Sequence, residues 1–532
     1  MDGKLSPVYV NVNAFIAHFV ANRPIDLNPH IGFNVAPEQR GAERAFMRKP
    51  NRVRKTWGWS LIAALSLSGC GGGGGSGGGA VVVLTPTPTP TAGCSLRERQ
   101  DWVLANMREW YLFPETLPAS PNPAAFSTVD DFLDSLTATA RSQGRDRFFT
   151  YLTSIAQENA FFNSGSSAGF GVRLATDSVA RRLFIAEAFE GAPALAAGID
   201  RGDEVLAIGT SPSTLRSVTD IFASEGAQGI TNALGPSTVG TSRTLQLTGA
   251  GGNRTVTIAK ADFTLTPVSS RYGARVIDLG GGRRVGYLNL RTFISTADAQ
   301  LRSSFQSFRA QGISEFVIDL RYNGGGLVAT ANLFGDLLGG NRSTADIFSQ
   351  TRFRPEKASN DEVHRFQPGP QSVSPVKIAF IGTASTASAS ELVMNGMIPF
   401  LGTNSALIGG NTFGKPVGQI ALDRSQCDDR LRVIAFATGN ANNNTAYFTG
   451  LAGSFPMTCR AADDVSLTLG DVREASLAQA IGFLNGQSCS AISSSGGQGQ
   501  TSLHPSAGGV TENAMLTPDA PTPAQREVPG MF

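Results

Sequence analysis

The pattern that most limits the fold is an alternation of apolar strand-like runs with amphipathic helical stretches between residues 266 and 485. Val285 to Leu290 reads as a strand. Leu301, Phe305 and Phe308 then fall on one helical face, and Gly312 closes that helix. Phe316 to Leu320 is an apolar run broken only by Asp319. A strand buried on both faces needs a run of that kind, without polar alternation. Leu327 to Leu338 reads as a helix, Val376 to Ile381 as a strand and Ser388 to Met397 as a helix. Strands alternating with helices predict an α/β core, with a mixed sheet covered by helices.

Two different patterns precede this core. Residues 96–160 predict a small helical region, in which Val103, Leu104, Met107, Trp110 and Tyr111 share one face. Pro114 and Pro118 end that helix, and a second begins near Ser127 with Phe132, Leu133 and Leu136 as its stripe. Residues 161–265 are strand-rich. Within them the string Gly191 to Ile208 predicts a short Ala-rich helix, a glycine turn and a strand. That string resembles the signature of PDZ domains. Such domains add a peptide strand to a sheet edge and hold its carboxylate on the N–H groups of a glycine-rich loop. The resemblance implies that Phe170, Gly171 and Val172 form the loop.

The N-terminal part reads as a targeting device. Residues 1–46 are expected to lie upstream of the true start, at Met47. Residues 47–70 form a lipoprotein signal: Arg48, Lys49, Arg52, Arg54 and Lys55 precede a short apolar run from Trp57 to Leu67. The run ends in Leu67-Ser68-Gly69-Cys70, which resembles a bacterial lipobox and implies a lipid on Cys70. Gly71 after that cysteine points to the outer membrane and a body facing the periplasm. Residues 71–95 are a glycine and Thr/Pro linker, and residues 486–532 are expected to be a disordered tail. Cys94, Cys427, Cys459 and Cys489 remain, an even number that suggests two disulfides in an oxidising compartment. Three pairings are open; Cys427–Cys459 with Cys94–Cys489 is preferred, since it would tie the start of the body to its end.

Composition removes several kinds of chemistry. The net charge is +2, which gives no reason to expect nucleic acid. The chain has four histidines, and of these only His364 lies in catalytic sequence, where it reads as a surface residue. A histidine base or a histidine-rich metal site is therefore not expected, and neither is a metal or other cofactor.

Four strings match catalytic patterns. Gly165 to Gly169 matches GxSxG but opens the strand-rich module and is not followed by a helix. Ser374 and Lys377 match SxxK but fall on a strand, which sends them to opposite faces. Gly409 to Lys415 matches the start of a P-loop, yet Pro416 stands where a Ser or Thr should bind magnesium. The fourth string is Thr386-Ala387-Ser388-Ala389-Ser390-Glu391, followed by Thr412-Phe413-Gly414-Lys415-Pro416-Val417-Gly418-Gln419.

Together with Asp319 to Leu327 upstream, this fourth string resembles the C-terminal processing peptidases, also called tail-specific proteases. The resemblance covers residues 96–485 and includes the order helical region, PDZ domain, core. It implies a crotonase-like serine protease core over 266–485, with Ser388 as nucleophile, Lys415 as general base and Gln419 orienting it. Burial lowers a lysine pKa, so that a neutral amine can take the serine proton. Ser388 opens a helix, which places N–H groups near a developing oxyanion. Ala389 N–H and Gly325 N–H are the expected donors. Gly324 replaces the family's usual proline, Pro416 its usual glycine, and the Ser388 to Lys415 spacing is slightly long. The implied activity is endopeptidase cleavage of envelope proteins or exposed C-terminal tails, with polypeptide substrates held by the PDZ domain and the cleft. The alternatives are an inactive PDZ scaffold or adaptor, and an acyl-CoA enzyme of related fold, which secretion disfavours.

Overall fold

The computed structural model describes residues 92–493 and 514–532. The upstream segment, the signal, Cys70, most of the linker and the tail from 494 to 513 lie outside the described residues.

The core is a six-stranded sheet in the order Ala274–Asp278, Arg284–Asn289, Glu315–Asp319, Lys377–Gly382, Ser405–Gly409, Thr458–Arg460. The first pair is antiparallel and the other four pairings are parallel. Phe316, Ile318 and Leu320 pack with Phe305, Phe334 and Leu392 from the helices Ala297–Ala310, Val328–Leu338 and Ala389–Leu401. Val317, between them, points the other way and packs with Leu477 and Phe483 of the helix Ala475–Leu484. Both faces are therefore covered, which explains the near-continuous apolar run.

A second sheet holds the Lys415 side of the site. Its longest strand, Asp429–Gly439, pairs with Tyr151–Ser154, Ile347–Phe353 and Val417–Arg424. The helices Leu96–Trp110 and Val129–Ser142 pack Val103, Met107, Phe132 and Leu136 against Leu431, Val433 and Ile434 of this sheet. Ser95 caps the first helix through a reciprocal bond with Glu98. The second starts at Val129 behind Thr128, one residue beyond the expected serine.

The strand-rich module forms a third sheet in the order Val172–Asp177, Arg182–Ala188, Glu204–Gly209, Ser242–Thr248, Arg254–Ala259. Helix Val218–Leu234 closes its core through Ile221 and Ile230. The free edge of Val172–Asp177 is filled by the chain's own C-terminal part, with Ala514 opposite Thr176 and Met515 opposite Ala175. Residues 514–532 are thus folded against the body, contrary to the expected disorder. Their apolar positions Leu516, Ala524, Val528, Met531 and Phe532 are buried, which composition averaged over a Pro- and Thr-rich tail conceals.

The disulfides are Cys94–Cys427 and Cys459–Cys489, so the preferred pairing is wrong. Cys427 sits in the turn joining Val417–Arg424 to Asp429–Gly439, and the first helix lies beside that turn through Arg99 and Asp429. Cys459 is on the last strand of the core sheet, where the chain returns after Leu484 and Ser490 accepts from Arg460 N–H. Each cysteine bonds to its spatial neighbour, and the start of the body is tied to a hairpin rather than to residue 489.

Candidate active site

Ser388 is the residue before helix Ala389–Leu401 and has φ +55° and ψ −114°. A non-glycine residue seldom adopts positive φ, and such conformations persist where surrounding contacts hold them. Here the holding group is Glu391, fully buried one turn into the helix. Its Oε2 accepts from Ser388 N–H at 3.0 Å and from Lys415 N–H at 2.8 Å. Its Oε1 accepts from Thr412 Oγ1 at 2.6 Å and Gly414 N–H at 2.7 Å. One carboxylate therefore fixes the backbones of both expected catalytic residues. Burial pushes the Glu391 pKa up, while these four bonds oppose that rise. The loop that mimics a P-loop is thus filled by a carboxylate of the chain itself.

Lys415 ends that loop. Its Nζ donates to Gln419 Oε1 at 3.1 Å and lies 5.1 Å from the centre of the Phe149 ring. The Gln419 amide nitrogen donates to Phe149 O, which turns the amide oxygen towards the lysine. Burial against Phe149 and its neighbours lowers the Lys415 pKa. Glu527 and Asp146 oppose that shift, whereas Arg526 and Arg432 reinforce it.

The third wall is the loop from Leu320 to Gly326. Gly325 has φ +119°, and a Cβ there would stand 2.8 Å from Ser388 Cβ and 3.1 Å from Ala389 N. Only glycine fits between them. The structure thus brings Gly325, Ser388 and Ala389 together, but Gly325 N–H donates to Asn323 Oδ1 at 2.9 Å. The N–H of this loop that meets a carbonyl across the cleft is that of Gly324, which donates to Glu527 O at 3.0 Å. This differs from the expected role of Gly325, because the Asn323 side chain folds back onto that amide.

Arg147 completes the site and carries no motif signal. Its Nη2 donates to Phe413 O and Gly414 O, both at 2.6 Å, and its guanidinium lies 4.1 Å from the centre of the Phe413 ring. It buttresses the loop that carries Lys415 through the carbonyl groups of Phe413 and Gly414.

The remaining candidate residues fall elsewhere. Gly165–Gly169 contributes a strand paired with Ala261–Thr264. Lys377 Nζ donates to Phe483 O at 2.8 Å, a structural contact. His364 bonds Asp336 at 3.0 Å, away from the cleft. Among the described residues no group of three or more His, Cys, Asp or Glu side chains is placed to hold a metal ion. Phe170, Gly171 and Val172 lead into the filled sheet edge: Gly171 and Val172 donate N–H to Phe532 O at 2.9 and 3.1 Å.

Residues 284–443, which contain the loop 320–326, Ser388, Glu391, Lys415 and Gln419, match the model of peptidase family S41. Over those residues the chain is similar to that family. Residues 98–151 also match the S41 N-terminal domain, which accounts for the two helices and for Arg147. The chain is 27% identical over 277 residues to the chloroplastic C-terminal processing peptidase of Tetradesmus obliquus, covering 49% of this chain and 54% of that one. It is 27% identical over 254 residues to a carboxyl-terminal-processing protease of Picosynechococcus, covering 47% and 55%. It spans about half the length of these curated relatives. A Bacteroides fragilis S41 protease structure superposes with a TM-score of 0.55 at 23% identity, covering 72% of this chain and 97% of that one, and shares the fold.

Proposed function

We propose that this chain is a serine endopeptidase in which Ser388 is the nucleophile, Lys415 the general base and Gln419 the group that orients the base. The observation that carries this reading is the shared Glu391 oxygen, which fixes Ser388 and Lys415 relative to one another. Lys415, in the neutral form that burial favours, takes the Ser388 hydroxyl proton as Oγ attacks the scissile carbonyl carbon. The resulting oxyanion lies at the start of helix Ala389–Leu401, where Ala389 N–H and the helix dipole stabilise it. Gly325 N–H joins Ala389 once it leaves Asn323 Oδ1. The Lys415 ammonium then gives its proton to the departing amine, leaving an acyl ester on Ser388. Water, deprotonated by Lys415, cleaves that ester, and the serine regains its proton.

The strand-rich module fits a PDZ-type role. Its edge strand Val172–Asp177 accepts a further strand, with Gly171 and Val172 N–H groups at the end of the groove. An extended substrate segment would occupy the same edge, in line with the names of the relatives, which describe processing at C-termini. Two disulfides suit an oxidising compartment, and with the lipobox-like Leu67 to Cys70 they support a lipid-anchored protein of the bacterial envelope.

The test is degradation of an unfolded polypeptide by the full chain and by Ser388→Ala. Loss of cleavage in the variant supports the assignment, and cleavage at the unchanged rate overturns it.

A further inference from the structure

The segment that fills the groove also fills the cleft. It enters the edge of Val172–Asp177 at Ala514 and Met515, and Leu516 N–H donates to Leu174 O at 2.9 Å. It rejoins the same edge at Gly530, whose oxygen accepts from Leu174 N–H at 2.8 Å, and Phe532 N–H donates to Val172 O at 2.9 Å. The added strand is therefore interrupted at Leu174, and residues 517–529 are looped out over the catalytic residues.

That excursion is built to fit. Helix Pro523–Glu527 is capped by Thr522 and Gln525, and Ala524 and Val528 pack with Phe161, Phe263 and Ile294. Arg526 lies 3.6 Å from the centre of the Tyr151 ring. Arg526, Glu527 and Pro529 line the same pocket as Lys415, Phe149 and Ala387. Gly324 N–H holds Glu527 O, and a Cβ at Gly324 would stand 2.6 Å from Arg526 O and 3.0 Å from Glu527 O. A proline at this position would remove the N–H and fill the space that the segment occupies. Glu527 also faces Lys415 and favours its ammonium, the form that cannot act as a base.

We propose that residues 514–532 are a self-inhibiting cap, seated at once in the peptide groove and across the catalytic cleft, and displaced by a polypeptide that offers an extended strand with a large apolar side chain where Phe532 sits. The inhibition rests on the peptidase reading above, but occupation of the groove does not. The Phe532 side chain packs in the module's own core with Leu174, Ile185 and Leu516, which sets the apolar requirement. A tethered ligand competes at high effective concentration, so an incoming chain binds only in proportion to the uncapped fraction.

The experiment uses the full chain and two variants that unseat the cap without touching the catalytic residues. Gly530 has φ +82°, and a Cβ there would meet Leu174 O at 2.8 Å, so Gly530→Val cannot seat. Phe532→Asp places a charge in an apolar pocket. The probe is a fluorescein-labelled synthetic peptide of residues 523–532, and the second readout is the rate at which a fluorophosphonate labels Ser388. Both variants should bind the peptide at least about tenfold tighter than the unchanged chain. Both should also label faster, and saturating peptide should reverse that gain. Equal peptide affinity in the unchanged chain and both variants overturns the cap. Tighter binding with an unchanged labelling rate overturns the inhibition. Tighter binding with no labelling of Ser388 in any form leaves the cap standing in the groove and removes the peptidase reading.

Discussion

Ser388 and Lys415 give their backbone N–H groups to one and the same atom, Oε2 of Glu391, at 3.0 and 2.8 Å. Ser388 opens a helix that packs on the core sheet, and Lys415 ends a loop leading into another sheet. The carboxylate is the joint between them. At Ser388 and Lys415 it bonds main chain rather than side chain, so it sets geometry and leaves both side chains free to react.

Glu391→Gln should therefore separate geometry from chemistry. An amide has one oxygen and would present its NH2 to N–H groups that need an acceptor. Leaving buried donors unsatisfied costs roughly 1–3 kcal/mol of stability. Misplacing the pair lowers kcat by roughly 10²-fold. Thermal unfolding and steady-state cleavage measure the two effects. An unchanged kcat in a folded variant would show that the joint does not position the pair.

The base should appear in the pH profile. Burial lowers the Lys415 pKa, so kcat/KM should rise through a value below the 10.5 of a free lysine. Lys415→Arg should be inactive at every pH, since a guanidinium stays charged. Stability follows the same group. Between the lowered folded value and 10.5 the unfolded chain holds the extra proton, so stability rises with pH across that window. Glu527→Gln removes a charge that supports the ammonium, and the rising limb should move to lower pH. The other charges acting on Lys415, those of Arg526, Asp146 and Arg432, stay in place.

Gln419→Glu should act in the opposite sense. A carboxylate at hydrogen-bond distance from Nζ stabilises the ammonium and should move the rising limb up by roughly 1–3 pH units. Activity lost at neutral pH should return in more alkaline buffer. Gln419→Ala should lower kcat without that alkaline recovery.

The proposed pair, Ser388 and Lys415, could be picked out in the sequence because its residue types are chemically demanding and stand in ordered motifs. The core sheet was legible because Phe316 to Leu320 must be apolar on both faces. Glu391 lay inside a quoted motif, but nothing local reveals that a helical glutamate bonds a loop more than twenty residues away. Arg147 was invisible for the same reason, since its partners are carbonyl groups of residues 413 and 414. Disulfide pairing depends on which turns meet in space, and spacing alone leaves three answers. The final segment was misread because its buried positions follow no helical or strand period. They alternate between two places on one sheet edge and a loop over the cleft.

The disulfides offer a separate check on that corrected pairing. Cys94→Ser with Cys427→Ser opens a loop spanning 333 residues and anchoring the first helix. Chain entropy puts such a link at about 6 kcal/mol, and the shorter loop of Cys459–Cys489 at about 3–4 kcal/mol. Denaturant midpoints should fall in that order, and peptide mapping without reduction should recover those two pairs.

The most direct test of the catalytic account is site mapping of a fluorophosphonate adduct as a function of pH. The account predicts adduct on Ser388 alone, forming faster as pH rises through the lowered Lys415 pKa. It also predicts the same adduct, formed much more slowly and without that pH dependence, in Lys415→Ala. An adduct on another serine, or equal rates in Lys415→Ala and the unchanged chain, would contradict it.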